Sequence, residues 1–204
     1  NASLYDRATC LFEALQTGTR INSAQGKTAW VFEGIHPNDI EVLKTMQEGT
    51  DLKIEYICID EMTGVTNLEK LSNKIKLSDY KPSVLAFSQI NHLGNIEDVD
   101  ALADFCSEHD ILSVAVIDPL LITKECLKTP VEYGSKQQGA DLLVAEGQHL
   151  AFGPMYGGPG LGIFGIRYNE KNKNNIRQTP GRFIGKAKDQ QGKDCKVIVL
   201  STRE

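Results

Sequence analysis

Residues 141–167 read DLLVAEGQHLAFGPMYGGPGLGIFGIR. The apolar run DLLVAEG (141–147) has the length and composition of a buried strand, and GLGIFGIR (160–167) has the same character. Between them lie a short loop carrying Gln148 and His149 and the glycine-rich turn YGGPGLG (156–162). Toward the N-terminus the same kind of run recurs as LSVAVID (112–118), SVLAFSQI (83–90), IEYICID (54–60) and AWVFEG (29–34). Toward the C-terminus KVIVLS (196–201) makes the seventh candidate strand. Phe183-Ile184 is expected to pair with it across the DQQGKD turn (189–194).

Helical spacing separates these runs. Leu4, Ala8, Leu11 and Leu15 share one face, and Ser3 with Asp6 forms a capping-box pattern that predicts a helix start near Ser3. Pro37 opens a second helix carrying Ile40, Leu43 and Met46. Leu68, Leu71 and Ile75 mark a third, and Ile96, Val99, Leu102 and Cys106 a fourth. The polar stretch YNEKNKNNIRQ (168–178) reads as an exposed helix or connector. Strands that alternate with helices, and that are apolar on both faces, define an α/β protein with a mainly parallel sheet.

The bulk numbers agree with a globular domain. The chain has 204 residues, 41% hydrophobic and 24% charged, with a net charge of −5 and a pI near 5.5. No basic stripe favours a nucleic-acid partner, and no apolar run reaches the roughly 20 residues that span a bilayer. No signal peptide opens the sequence. The five cysteines (10, 58, 106, 126 and 195) are scattered without a Cys-x-x-Cys pair, which argues against structural zinc. Reduced thiols in a cytoplasmic protein are the simplest reading. Cys58 and Cys106 read as small buried hydrophobes. Asn1-Ala2-Ser3 fits a glycosylation sequon, but nothing else points to secretion. A start without methionine and an end on the charged Glu204 lead to the expectation of a piece of a longer protein.

In open parallel sheets ligands bind beyond the carboxyl ends of the strands. Asp118 stands at such an end. It reads as an acidic partner for a protonated ring nitrogen or, with more weight, as a turn residue before Pro119. The turn 156–162 could bring backbone N–H groups to a phosphate, but it precedes a strand and lacks phosphate-loop spacing, so a tight turn is the plainer reading. His149 is a candidate base or ring-stacking platform, a role most lone histidines lack. Gln148 is neutral and forms no Schiff base, which needs a lysine amine. The nearest lysines, Lys136 and Lys171, lie outside the loop, and Lys124 and Lys128 are expected on the solvated side of a connector. Ser88, Asn91, His92 and Asn95 form a polar loop in which Asn95 is expected to cap the helix starting near Ile96. Arg182, between two glycines, is a candidate grip for a carboxylate or phosphate, with a surface ion pair as the alternative. The four histidines show no metal-ligand spacing.

The segments NASLYDRAT, HPNDIEVLKT, GNIEDVDAL, DPLLI, YGGPGLGIFGIR, PGRFIG and LSTRE stand in an order that resembles the family of glycine dehydrogenase (decarboxylating) subunit 1, the P-protein of the glycine cleavage system. The resemblance runs from Asn1 to Glu204. It implies an aspartate-aminotransferase-like large domain of pyridoxal phosphate fold type I, with a seven-stranded, mostly parallel sheet. Residues 1–204 would be the large domain alone, without the leading segment and the C-terminal small domain of the full subunit. In the two-subunit form of the family, subunit 2 binds pyridoxal phosphate covalently through a lysine before a glycine run. By the resemblance Gln148 falls at that lysine's place and Asp118 at the ring-nitrogen aspartate's, where it would be vestigial. This chain departs from the family by carrying Arg7 after Asp6, where a glycine is usual. That weakens any phosphate role for the first helix.

The implied reaction is decarboxylation of glycine with transfer of the aminomethyl group to the lipoyl arm of the H-protein, catalysed by a cytoplasmic heterotetramer. This chain would supply no catalytic residue of its own, and Tyr156, Gly157 and Gly158 would face the phosphate of the partner's cofactor. A non-catalytic scaffold and a stand-alone pyridoxal phosphate enzyme are the alternatives.

Overall fold

The computed structural model describes residues 2–78, 80–122, 127–153, 155–170, 172–181 and 183–199. Seven strands form one sheet: β1 (Ala2–Leu4), β2 (Thr28–Phe32), β3 (Lys53–Ile57), β4 (Val84–Ser88), β5 (Leu112–Ile117), β6 (Leu142–Glu146) and β7 (Gly162–Ile166), in the order β1-β7-β6-β5-β4-β2-β3. Strands β3, β2, β4, β5 and β6 are parallel neighbours. β7 pairs antiparallel with both β6 and β1, so β7 alone runs against the rest. β8 (Phe183–Lys188) and β9 (Asp194–Val199) form a separate antiparallel hairpin.

Alternation along the strands builds two cores. Ala29, Val31, Val84, Ala86, Val114 and Val116 face one way and pack with Leu11, Ala14 and Leu15 of helix α1 (Arg7–Ile21) and Leu43 of α2 (Pro37–Gln47). Trp30, Phe32, Leu85, Phe87 and Ala115 face the other way. They meet Leu71 and Ile75 of α3 (Leu68–Leu77) and Leu102, Ala103 and Phe105 of α4 (Val99–Glu108). A sheet covered on both faces has no polar alternation to display, which is why its strands read as unbroken apolar runs.

Four sequence expectations need correction. The segment after Ser3 is a strand, not the first helical turn. Ala2–Leu4 pairs with Phe164–Gly162, and α1 starts at Arg7 under an Asp6 cap that closes a box with Thr9. The exposed edge of β7 offers ladder partners that a frayed helix start does not. The count of seven sheet strands therefore holds with a different membership. The described part of KVIVLS, residues 196–199, lies in the hairpin, where Ile184 pairs with Ile198 as expected, and residues 200 and 201 lie outside the described residues. Helix α4 begins at Val99 under Asp98, while the Asn95 amide donates to the Gly64 carbonyl at 3.1 Å. Cys58 is exposed, one residue beyond the end of β3 and beside the Glu33 carboxylate, whereas Cys106 is buried.

Among the described residues of the connector 168–178, Asn175–Gln178 form a 3-10 turn. Pro37 does open α2, with the His36 ring accepting from the Asn38 N–H. Among the described residues no helix is long and apolar enough to cross a membrane.

Candidate functional site

The carboxyl ends of β2, β4 and β5 surround a cleft of about 170 Å³. Arg7 and Asp39 line it from the helix starts, Ser88 from the end of β4, Asn91 and His92 from the loop that follows, and Asp118 from just beyond β5. Of the expected polar residues Ser88, Asn91 and His92 reach the cleft while Asn95 does not line it, and Asn91 is largely committed elsewhere. Its buried amide donates to the Gly64 carbonyl and to Glu97, both at 2.8 Å.

Asp118 has the turn role that the sequence favoured and also acquires a neighbour. Its Oδ1 accepts from the Leu120 N–H at 3.0 Å and lies 3.5 Å from Nε2 of His149. Two candidates from different strands thus meet at the rim. His149 lies in the short helix α5 (Gln148–Ala151) that follows β6. Lys128 is not free on its connector but reaches Asp100 at 2.5 Å. Arg182, Lys124, Lys171 and Cys126 lie outside the described residues.

The N-terminus of α1 points toward this rim, and its N–H groups meet carboxylates of the chain itself. Asp6 accepts from the Thr9 N–H at 2.7 Å. Glu146, the last residue of β6, accepts from the Arg7 N–H at 3.1 Å and from the N–H groups of Gln148 and Leu161 at 2.9 and 2.8 Å. Partial burial pushes the Glu146 carboxyl up, but these donors outweigh it and hold it below the usual value. The Arg7 guanidinium turns aside to Asp39, 2.6 Å away. Sequence reading treated Glu146 as strand. An acid directly before the Gly147 break was the one available signal.

Beyond α5 the glycine turn stands into solvent. Tyr156, Gly157 and Gly158 take φ values of 52°, 106° and 48°, and the Tyr156 side chain is fully exposed. Gln148 reaches this turn with its amide, donating to the Gly157 carbonyl at 2.5 Å.

These residues do not fit a covalently anchored aldehyde cofactor. No lysine occurs between Asp141 and Arg167. Two of the first three N–H groups of α1, where an anionic group would be received, already serve Glu146 and Asp6. Among the described residues no group of three histidine, cysteine or acidic side chains could hold a metal.

A sheet with a single reversed strand and a cleft at the carboxyl ends defines the large domain of pyridoxal phosphate fold type I enzymes. The crystal structure of glycine decarboxylase (P-protein) of the glycine cleavage system, in inhibitor-bound form, superposes with a TM-score of 0.71 at 27% identity, covering 98% of this chain and 40% of that one. The sphingosine-1-phosphate lyase of Burkholderia pseudomallei shares the fold alone, with a TM-score of 0.60 at 13% identity, covering 96% of this chain and 43% of that one. The model of the glycine cleavage system P-protein family matches residues 1–204, and the chain belongs to that family.

Similar relatives include the proteins named probable glycine dehydrogenase (decarboxylating) subunit 1 from Coprothermobacter proteolyticus, 35% identical, and from Nitrosospira multiformis, 32% identical. Both matches cover 100% of this chain and 42% of the relative, so the chain spans under half the length of these proteins.

Proposed function

We propose that the chain is the large domain, without a Schiff-base lysine, of subunit 1 of a two-subunit glycine decarboxylase in the cytoplasm. The observation that carries this reading is the connection from β6 to β7, which places a carboxamide, Gln148, after the strand and contains no amine. The use of the Arg7 and Thr9 N–H groups by Glu146 and Asp6 supports it, because an anchoring subunit needs helix-start donors for its ligand.

Electron-sink chemistry for the loss of carbon dioxide from glycine would come from pyridoxal phosphate bound covalently by subunit 2. The aminomethyl group would pass to the lipoyl arm of the H-protein. This chain's share is to shape the shared site: Tyr156, Gly157 and Gly158 face the partner's cofactor phosphate, and Asp118 is a vestigial ring-nitrogen partner held by Leu120 and His149.

The test is to mix the chain with subunit 2 and measure exchange of bicarbonate into glycine. Neither component alone should show exchange, and the mixture should. A chain that alone develops the absorbance of a lysine-bound pyridoxal phosphate and decarboxylates glycine ends the proposal. Tyr156→Ala should lower turnover at least about tenfold without loss of assembly. Full turnover would instead mark a scaffold.

A further inference from the structure

We infer that Gln148 is a positioning residue that holds the Tyr156–Gly158 turn in its outward, left-handed conformation. The inference rests on the trans-acting role proposed above and names the group that makes that role possible. Three successive residues of the turn have positive φ, and one of them is a tyrosine. That conformation is strained for a residue with a Cβ, so something must hold it. The core does not, since Met155, Tyr156, Gly157 and Gly158 are all exposed.

Two hydrogen bonds close the turn. The Gly158 N–H donates to the Met155 carbonyl at 3.2 Å, within the turn itself. The Gln148 amide donates to the Gly157 carbonyl at 2.5 Å, and it alone of the two connects the turn to the sheet. Gln148 is well placed for this. It is half-buried, it begins α5, and its own N–H is held by Glu146 at the end of β6. A Cβ on Gly158 would come within 3.2 Å of the Gln148 amide nitrogen, so the small residue leaves room for the contact. Neutrality matters as well as reach. A carboxamide donates to a carbonyl and brings no charge to the rim, whereas a carboxylate of the same shape has no donor.

The experiment compares the full chain with Gln148→Glu, Gln148→Ala and Tyr156→Ala. Amide hydrogen exchange is read in each chain, and bicarbonate exchange is read after assembly with subunit 2. Both Gln148 variants should exchange about tenfold faster at Gly158, with the β4 and β5 amides unchanged as the control for folding. Both should assemble normally and lose turnover as Tyr156→Ala does.

Unchanged exchange at Gly158 in both variants overturns the positioning role. Faster exchange with full turnover in the Gln148 variants, while Tyr156→Ala loses turnover, also overturns it, because holding the turn would then be irrelevant to the reaction. Full turnover in Tyr156→Ala, by contrast, removes the trans-acting reading itself. The exchange data alone then decide whether Gln148 holds the turn.

Discussion

Arg7 stands where a helix start favours an acid or a small residue, and its surroundings explain how it is tolerated. The guanidinium leaves the dipole and pairs with Asp39, whose side chain is only 10% exposed, in the first turn of α2. An ion pair across two helix starts couples α1 to α2 far from their packed centres. Replacing Arg7 with Met leaves a buried carboxylate without its cation. The cost should be about 2 kcal/mol, seen as a lower urea midpoint. Adding Asp39→Asn should recover part of that loss. If the single substitution leaves the midpoint where it was, water already satisfies Asp39.

At this scale much of the candidate site could be read as local sequence. The carboxylate of Asp118, the missing lysine and the glycine turn are all local facts of the sequence. Glu146 and the Arg7–Asp39 pair were not legible, because each depends on groups many residues away that only packing brings together.

Among the elements, β3 is the edge strand of the parallel side, and it carries a cluster that blunts the edge. Glu55 receives Lys53 at 2.7 Å, Lys74 at 3.3 Å, the Trp30 indole at 3.2 Å and the Tyr80 hydroxyl. Desolvation raises its carboxyl, but hydrogen bonds from Lys53, Tyr80 and Lys74 overcome that and bring it down to about 2. A depressed acid stabilises the fold above its unfolded value, near 4.5, and the contribution is lost as pH falls toward about 2. Glu55→Gln should therefore be less stable than the parent at pH 7 by about 2 kcal/mol, after allowance for solvent screening. The gap should close between pH 4.5 and 2 in denaturant titrations. A gap independent of pH would mean that shape, not charge, matters there.

Gly162 poses a second test at the scale of elements. A Cβ there would sit 2.3 Å from the Asp6 carbonyl oxygen, where α1 crosses the start of β7. Gly162→Ala should lower stability by about 2 kcal/mol in thermal unfolding, because backbone rather than a flexible side chain must move. The sequence marked this residue only as one more glycine in a rich stretch. The Asp6 cap of the crossing helix, which makes it necessary, lies more than 150 residues earlier in the chain.

Across the whole molecule, stability should be uneven. The β8–β9 hairpin forms its own two-stranded sheet, and Ile184 and Ile198 are 71% and 65% exposed. Two strands with one face open to water are marginal alone. Hairpin amides should exchange at least about a hundredfold faster than those of β4 and β5. Equal protection would show that the hairpin opens only with the sheet.

The sequence by itself determined the class of fold, the positions of β2 to β7, the helices that cover them, and the absence of an amine after β6. Those properties follow from apolar periodicity, turn residues and side-chain chemistry, which act over a few residues and can be read in order. Only the tertiary structure decided that Ala2–Leu4 join the sheet as β1, that residues 196–199 pair in a separate hairpin, and that Glu146 takes the first N–H of α1. Each of those outcomes is a competition between distant partners for the same hydrogen-bonding groups, and no local pattern records which partner wins.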